Sequence, residues 1–86
     1  MISKEILIKY NMLSLEKYKE IFGDSIETEE NFYKTFLIQT DHIPNKIIEA
    51  QILGKEVDDY TEILNLRQFA RDNINRLESL VMEDFE

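Results

Sequence analysis

The last third of the chain carries a regular apolar pattern that predicts one long helix from Asp59 to Met82. Apolar residues recur there at gaps of three and four, so a straight helix places them on one stripe. Such a stripe needs a surface to pack against, and we expect the shorter segments before it to lie along it. The residues of the stripe are Ile63, Leu66, Ala70, Ile74, Leu77 and Val81.

Two short helical segments are predicted at the amino terminus. The first runs from Ser3 to about Met12 and opens with a capping serine. Ser14 is placed to cap the second, which covers Leu15–Phe22 and ends at Gly23. We interpret the residues between them as a corner. The alternative is one continuous helix through Asn11, since no residue there forbids it.

A third helix is predicted after the loop Asp24–Glu27. Thr28 is the expected capping residue, and the helix runs to about Gln39. Two glutamates at its start interact favourably with the positive end of the helix dipole. Its apolar residues are expected to form a buried stripe, which consists of Phe32, Tyr33, Phe36 and Leu37.

Pro44 predicts the start of a fourth helix, because proline is accepted in a first turn and disfavours helical geometry in the residue before it. This helix reaches Leu53 and stops at Gly54. Asp59, with Glu62 three residues later, resembles a capping box at the start of the long helix.

These signals predict an all-α fold, a small bundle of about five helices with a long C-terminal amphipathic helix. We expect one domain over residues 1–86, with an N-terminal helical corner over 1–23 and a three-helix unit over 28–83. A chain of 86 residues is near the lower size limit for an unaided core, so self-association is an open alternative.

Charge and composition exclude several classes of function. The net charge is −8 and the basic residues form no cluster, which disfavours direct binding to nucleic acid. No apolar run approaches the roughly 20 residues of a membrane span, and we expect no membrane partner. The excess of acid is concentrated in Glu20–Glu30 and Leu77–Glu86, which contain no base.

No constellation of residues predicts catalysis, a metal site or a cofactor site. His42 is the only histidine, and we expect a surface or capping role for it. Asp58, Asp59 and Glu62 lack the alternating ligands of a calcium loop, and the two glycines are isolated helix stops. We therefore expect a protein that is not an enzyme and that needs no cofactor.

The long helix carries apolar residues beyond its main stripe. Leu64, Phe69 and Leu80 make its apolar surface wider than two short helices can cover, so we predict them as partner contacts. Complete burial within the chain is the alternative. The polar side of the same helix carries Arg67 and Arg71, which we assign to a solvated face.

Two stretches of the chain carry a pattern that is known from other proteins. The residues of the first, within 33 to 78, are Phe36-Leu37, Thr40-Asp41, Lys46, Glu49, Tyr60, Leu64, Arg67, Ala70-Arg71, Ile74-Asn75 and Leu77-Glu78. Those of the second are Ser3-Lys4-Glu5 and Leu13 to Gly23. The first stretch resembles a helical unit that is common in proteins encoded by phages and prophages of Gram-positive bacteria, usually in genes of the tail or baseplate region. The second is similar to the ending of small phage tail-module proteins.

The resemblance implies a minor component or assembly factor of a phage tail or baseplate. Its partner is then a tail protein or a second copy of itself, and contact is made by helix-in-groove or bundle association. The resemblance also implies that the protein is found in the host cytoplasm during expression. A different class of function is suggested by the acidic stretches, whose carboxylates could imitate phosphates and inhibit a host enzyme that binds nucleic acid.

Overall fold

The computed structural model describes residues 2–83, apart from the side chains of Asp58, Asp59 and Glu83. Within this part of the chain there are five α-helices and no strand. The predicted all-α class and the long C-terminal helix are confirmed. The helices are α1 (Lys4–Lys9), α2 (Leu15–Phe22), α3 (Ile26–Gln39), α4 (Ile43–Leu53) and α5 (Asp58–Glu83).

The amino-terminal corner consists of two separate helices, as predicted. Ser3 caps α1 and Ser14 caps α2, each accepting a hydrogen bond from a backbone N–H of the first turn. Asn11 has φ of 58°, a left-handed conformation that asparagine tolerates better than most residues. The helix is interrupted at this conformation, and α1 ends at Lys9 rather than at the predicted Met12.

The start of α3 differs from the prediction. Ser25, not Thr28, is the capping residue, and its Oγ accepts a hydrogen bond from the backbone N–H of Thr28 at 3.1 Å. The hydroxyl of Thr28 is buried in the first turn, 3.0 Å from the Ser25 Oγ. It donates to the carbonyl of Phe22 at 3.4 Å. Thr28 therefore joins the end of α2 to the start of α3.

The two later helix starts lie one residue earlier than predicted. Ile43 is the first residue of α4, which places Pro44 inside the first turn, where its missing N–H costs nothing. The helix ends at Gly54, as predicted, and this glycine adopts the left-handed conformation with φ of 70°. The predicted capping role of Asp59 lies outside the described side chains.

Helix α5 is the spine of the molecule. Its 26 residues make it about 39 Å long at 1.5 Å per residue. Helix α3 runs antiparallel to its second half, since Glu29 contacts Arg76 at one end and Leu37 contacts Arg67 at the other. Helix α4 packs on the first half of α5. Among the described residues, α3 and α4 each pack on α5 and not on each other.

The core lies where the N-terminal corner covers α3 and α5. The predicted stripe of α5 is buried or half-buried along its whole length, and so is the aromatic stripe of α3. Phe36 and Ala70 are fully inaccessible at the centre of the contact. The buried members of this core are Ile2, Leu7, Phe32, Tyr33, Phe36, Ala70, Ile74 and Leu77.

The molecule is an elongated plate of 51 × 27 × 17 Å. Its radius of gyration is 14.9 Å, whereas a compact chain of this length has a value of about 12 Å. Its accessible surface is 6260 Å², against about 5,400 Å² for a typical monomer of 10.3 kDa. The corner covers the α3 half of the spine, and no helix of the described chain covers the α4 half in the same way.

Candidate interaction surfaces

The three predicted contact residues of α5 do not form one surface. Leu64 is 36% exposed and Leu80 is 39% exposed, whereas Phe69 is half-buried. Leu64 and Phe69 are five residues apart, which separates them by about 140° around the helix. Phe69 and Leu80 share a flank, with about 16 Å between them along the axis. The ring of Phe69 packs edge-on against Tyr33, with the ring centroids 6.0 Å apart.

A groove opens where the corner meets α3 and α5. Its volume is about 610 Å³, within the usual range of protein binding sites. The core itself forms its floor through Leu7, Phe32 and Tyr33, and Phe69 lines one wall. Leu13 also lines the groove and is exposed. The groove therefore presents core-like apolar surface to solvent.

The polar residues of this groove give it a small positive charge on an acidic protein. Lys4, Glu16 and Lys17 line it together with Ser14, whose hydroxyl already caps α2. Lys17 also forms an exposed ion pair with Glu20 at 3.3 Å. The groove has an apolar floor and a mixed, slightly basic border, which suits an amphipathic helix better than an anionic polymer.

Helix α4 is apolar on both of its sides. Ile43 and Ala50 are buried on the side that faces α5. Ile48 and Ile52 lie on the opposite side, where they are 56% and 78% exposed. When a helix carries apolar residues on two opposite sides, both sides are normally covered. In the described chain, α5 is the helix that packs on α4, so the outer side of α4 is left open.

Arg67 is placed differently from the prediction. The sequence predicts a solvated face for Arg67, but the residue is only 7% exposed. Its Nη1 donates to the carbonyl of Leu37 and to Thr40 Oγ1, both at 2.7 Å. Thr40 in turn donates to the carbonyl of Phe36 at 2.8 Å. A sequence signal was present, because Arg67 lies four residues after Ile63 on the apolar stripe.

Burial changes the electrostatics of this arginine. Its Nε is buried without a hydrogen-bond partner. Loss of solvent is the main reason why the pKa of Arg67 is lowered, and the nearby charge of Arg71 lowers it further. The negative charge of Asp41 raises the pKa of Arg67 and so opposes this shift. The guanidinium joins α5 to the end of α3, where the last carbonyls of the helix lack partners within the helix.

The acidic stretch Glu20–Glu30 is largely paired with bases. Four of its five carboxylates lie within 4 Å of a lysine or arginine nitrogen. The shortest pair joins Glu30 to Lys34 at 2.9 Å, and its hydrogen bond is the main reason why the pKa of Glu30 is lowered. Burial opposes this shift. The pairs are Glu20–Lys17, Asp24–Lys19, Glu29–Arg76 and Glu30–Lys34.

His42 lies at the exposed start of α4. It occupies the capping position without a side-chain capping bond, and its ring centroid is 6.1 Å from that of Tyr10. Over the described residues, no group of three or more His, Cys, Asp or Glu side chains is arranged to hold a metal ion. Nor is any helix of this part of the chain long and apolar enough to cross a membrane.

Comparison with protein-family models, with curated proteins and with solved structures finds no match to this chain.

Proposed function

We propose that this protein is a non-enzymatic accessory protein that acts by binding another protein. The resemblance of the chain to phage and prophage proteins implies a minor component or assembly factor of a phage tail or baseplate. The observation that carries it is the groove between the N-terminal corner and the helices α3 and α5. A site built from apolar floor residues offers shape and hydrophobic contact, which are the means of protein recognition.

The partner element that best fits the groove is an amphipathic helix. The floor residues Phe32 and Tyr33 are already held in place by the core, so binding would cost them little conformational freedom. Aromatic side chains of this kind dominate the energetics of interfaces. The bordering Lys4 and Lys17 would contact carboxylates on the polar side of the incoming helix.

Phe69 forms a wall of the groove and is not an anchor that projects into the partner. Because it packs against Tyr33, replacing it with aspartate would disturb the core as well as any contact. Leu13 and Ile8 are better probes, since both line the groove and both are exposed. An aspartate at either position removes apolar contact while the monomer keeps its buried residues.

Inhibition of a nucleic-acid enzyme by phosphate mimicry gains no support from the geometry. Mimicry needs a row of unpaired carboxylates at phosphate spacing. In Glu20–Glu30, most carboxylates instead form an ion pair with a nearby lysine or arginine.

The test is co-purification with the proteins encoded by the genes that flank this one. The tagged full-length chain is co-expressed with each neighbour, as wild type, Leu13→Asp and Ile8→Asp. We expect the wild type to retain one neighbour and both groove variants to lose it. Ile21→Asp is the matched control, because Ile21 is exposed on α2 and does not line the groove.

Circular dichroism of each variant must match the wild type for the comparison to count. Retention of the neighbour by both groove variants would contradict a role for the groove. A wild-type chain that binds none of its neighbours, and that instead binds a host nuclease in a salt-sensitive way, would replace the proposal with phosphate mimicry.

A further inference from the structure

We propose that helix α1 is a strap that closes over the groove and controls access to it. The strap opens as a unit about the connection between α1 and α2, while α2 to α5 stay packed. A helix of another protein reaches the whole floor of the groove once the strap has opened. The opening is a property of this chain by itself, whereas its role in regulating binding rests on the proposed function.

Helix α1 is attached to the rest of the molecule through side chains. Within the described chain, no Cα atom of α1 lies within 8 Å of a Cα atom of another helix. Leu7 and, just before the helix, Ile2 are buried in the core, and Ile6 and Met12 pack against it. Among the side chains that the structure describes, no hydrogen bond or ion pair joins α1 to another helix. The backbone of α1 therefore stands away from the helices that it covers.

Helix α2, the other half of the corner, is fixed more firmly. It packs closely on α3. Its last residue, Phe22, accepts a hydrogen bond from the hydroxyl of Thr28 at 3.4 Å. The ring of Tyr18 lies edge-on to that of Phe32, with the ring centroids 6.0 Å apart. When the corner opens, α1 therefore separates from the core and α2 stays in place.

The connection over residues 10–14 provides the hinge. It lies outside both helices, and its last two residues, Leu13 and Ser14, are exposed. Near its start, the ring of Tyr10 lies 6.1 Å from the ring of His42, which is itself exposed. A rotation at Leu13 and Ser14 therefore breaks few contacts of the hinge itself.

The rest of the core can stay packed while the strap is open. Opening removes Ile2 and Leu7 from the core, whose other buried members all belong to α3 and α5. Phe36 and Ala70 remain fully inaccessible between these two helices. The α3–α5 contact therefore does not depend on α1.

Helix α1 already contacts the floor in the way expected of a partner helix. It is amphipathic, with Leu7 buried and with Lys4 and Glu5 exposed. Leu7 lines the groove together with Phe32 and Tyr33. A helix of six residues is not stable by itself, so α1 keeps its structure only while it is docked. A partner helix that spreads over the floor competes with α1, and its apparent affinity is reduced by the fraction of closed chains.

The first test is amide hydrogen exchange of the full-length chain with no partner present. The amide hydrogens of Leu7, Tyr10 and Met12 are bonded to carbonyl groups within this segment. We expect them to share one opening free energy and to exchange at least tenfold faster than the amides of α3. Low urea should leave their rates unchanged, because opening exposes little surface. Rates that rise steadily toward the amino terminus, or rates equal to those of α3, would overturn the inference.

The second test asks whether α1 blocks the floor. The probe is a fluorescent synthetic peptide of residues 1–12, which is added to the full-length chain and followed by anisotropy. Leu7→Ala and Ile2→Ala each loosen the strap, and we expect each variant to bind the peptide at least tenfold more tightly than the wild type. Glu5→Ala is the matched control, because Glu5 is exposed on the same helix and does not line the groove. It should bind the peptide as the wild type does.

Equal affinity of the wild type and both loosened variants, or no binding of the peptide to any chain, would overturn the regulatory role of α1. Circular dichroism of each variant must match the wild type, and Ile2→Ala serves if Leu7→Ala fails to fold. The two proposals fail separately. Loss of every neighbour in co-purification, with both tests of the strap as expected, would remove the proposed function and leave the strap.

Discussion

The buried arginine of α5 provides the sharpest test of the structure. Arg67 donates two hydrogen bonds at 2.7 Å, one to the carbonyl of Leu37 and one to the hydroxyl of Thr40. Hydrogen bonds from charged donors contribute about 1.5–3 kcal/mol each. Burial of the guanidinium away from water costs free energy, which offsets part of this stabilisation. The lowered pKa of Arg67 reflects the same loss of solvent.

We expect Arg67→Met to lower the free energy of unfolding by about 2–4 kcal/mol, because methionine keeps an unbranched apolar stem and loses both donors. The Leu37 carbonyl is then left without the partner that the arginine supplies. An 86-residue chain has a total stability of only about 4–13 kcal/mol, so the loss is a large fraction of it. Arg71→Met, one turn further along the same helix and exposed, should change stability by less than about 0.5 kcal/mol.

The assay is urea unfolding followed by far-UV circular dichroism, at low protein concentration so that association does not contribute. Thr40→Val completes a double-mutant cycle. Its cost should be about 1.5–3 kcal/mol in the wild type and smaller by at least about 1 kcal/mol beside Arg67→Met, since the shared bond is already lost. Equal costs in both backgrounds, or an Arg67→Met chain as stable as the Arg71→Met control, would refute the arrangement.

Three further predictions concern helix ends and pH. Ser25→Ala should cost about 0.5–2 kcal/mol by urea unfolding, because it removes the true cap of α3. Gly23→Ala should lower the free energy of unfolding by about 1–3 kcal/mol, because φ of 101° with ψ of 152° suits only glycine. Gly54→Ala should cost less, because Gly54 has an ordinary left-handed conformation. Equal costs for the two substitutions would contradict this reasoning. The pKa of Glu30 is lowered on folding, so its carboxylate stabilises the protein above pH 4.5 and this contribution is lost as the pH falls. The stability difference between wild type and Glu30→Gln should therefore shrink in acid, and a constant difference would argue against the pair with Lys34.

Local signals were sufficient for most of the fold. Ser14 acts through its own side-chain hydroxyl and Gly54 through its own backbone conformation, so the ends that they mark could be predicted from the sequence alone. The choice between Ser25 and Thr28 could not, because both residue types cap helices. It was decided by the burial of Thr28 and by its bond to the end of α2, which exist only in the folded chain.

The interaction surfaces were harder to predict for a related reason. A helical pattern shows how many sides of a helix are apolar, but it does not show which of them the rest of the chain covers. In α5, the spacing of Leu64 and Leu80 already places them on opposite flanks, whereas only the folded chain shows that Phe69 is partly used by the core. In α4, Ile48 and Ile52 remain exposed, because within the described chain no second helix packs on their side of α4.

The unequal cover of the spine has a consequence for how the molecule opens. Three layers of helix meet around the α3 half, whereas within the described chain α5 is the one helix that packs on α4. Amide protection follows the local density of buried contacts, so α4 should open at a lower free energy than α3 and exchange its hydrogens earlier. Any molecule that binds the outer side of α4 must slow that exchange. The rate of amide hydrogen exchange in α4 therefore reports binding at this side of the helix without any added label.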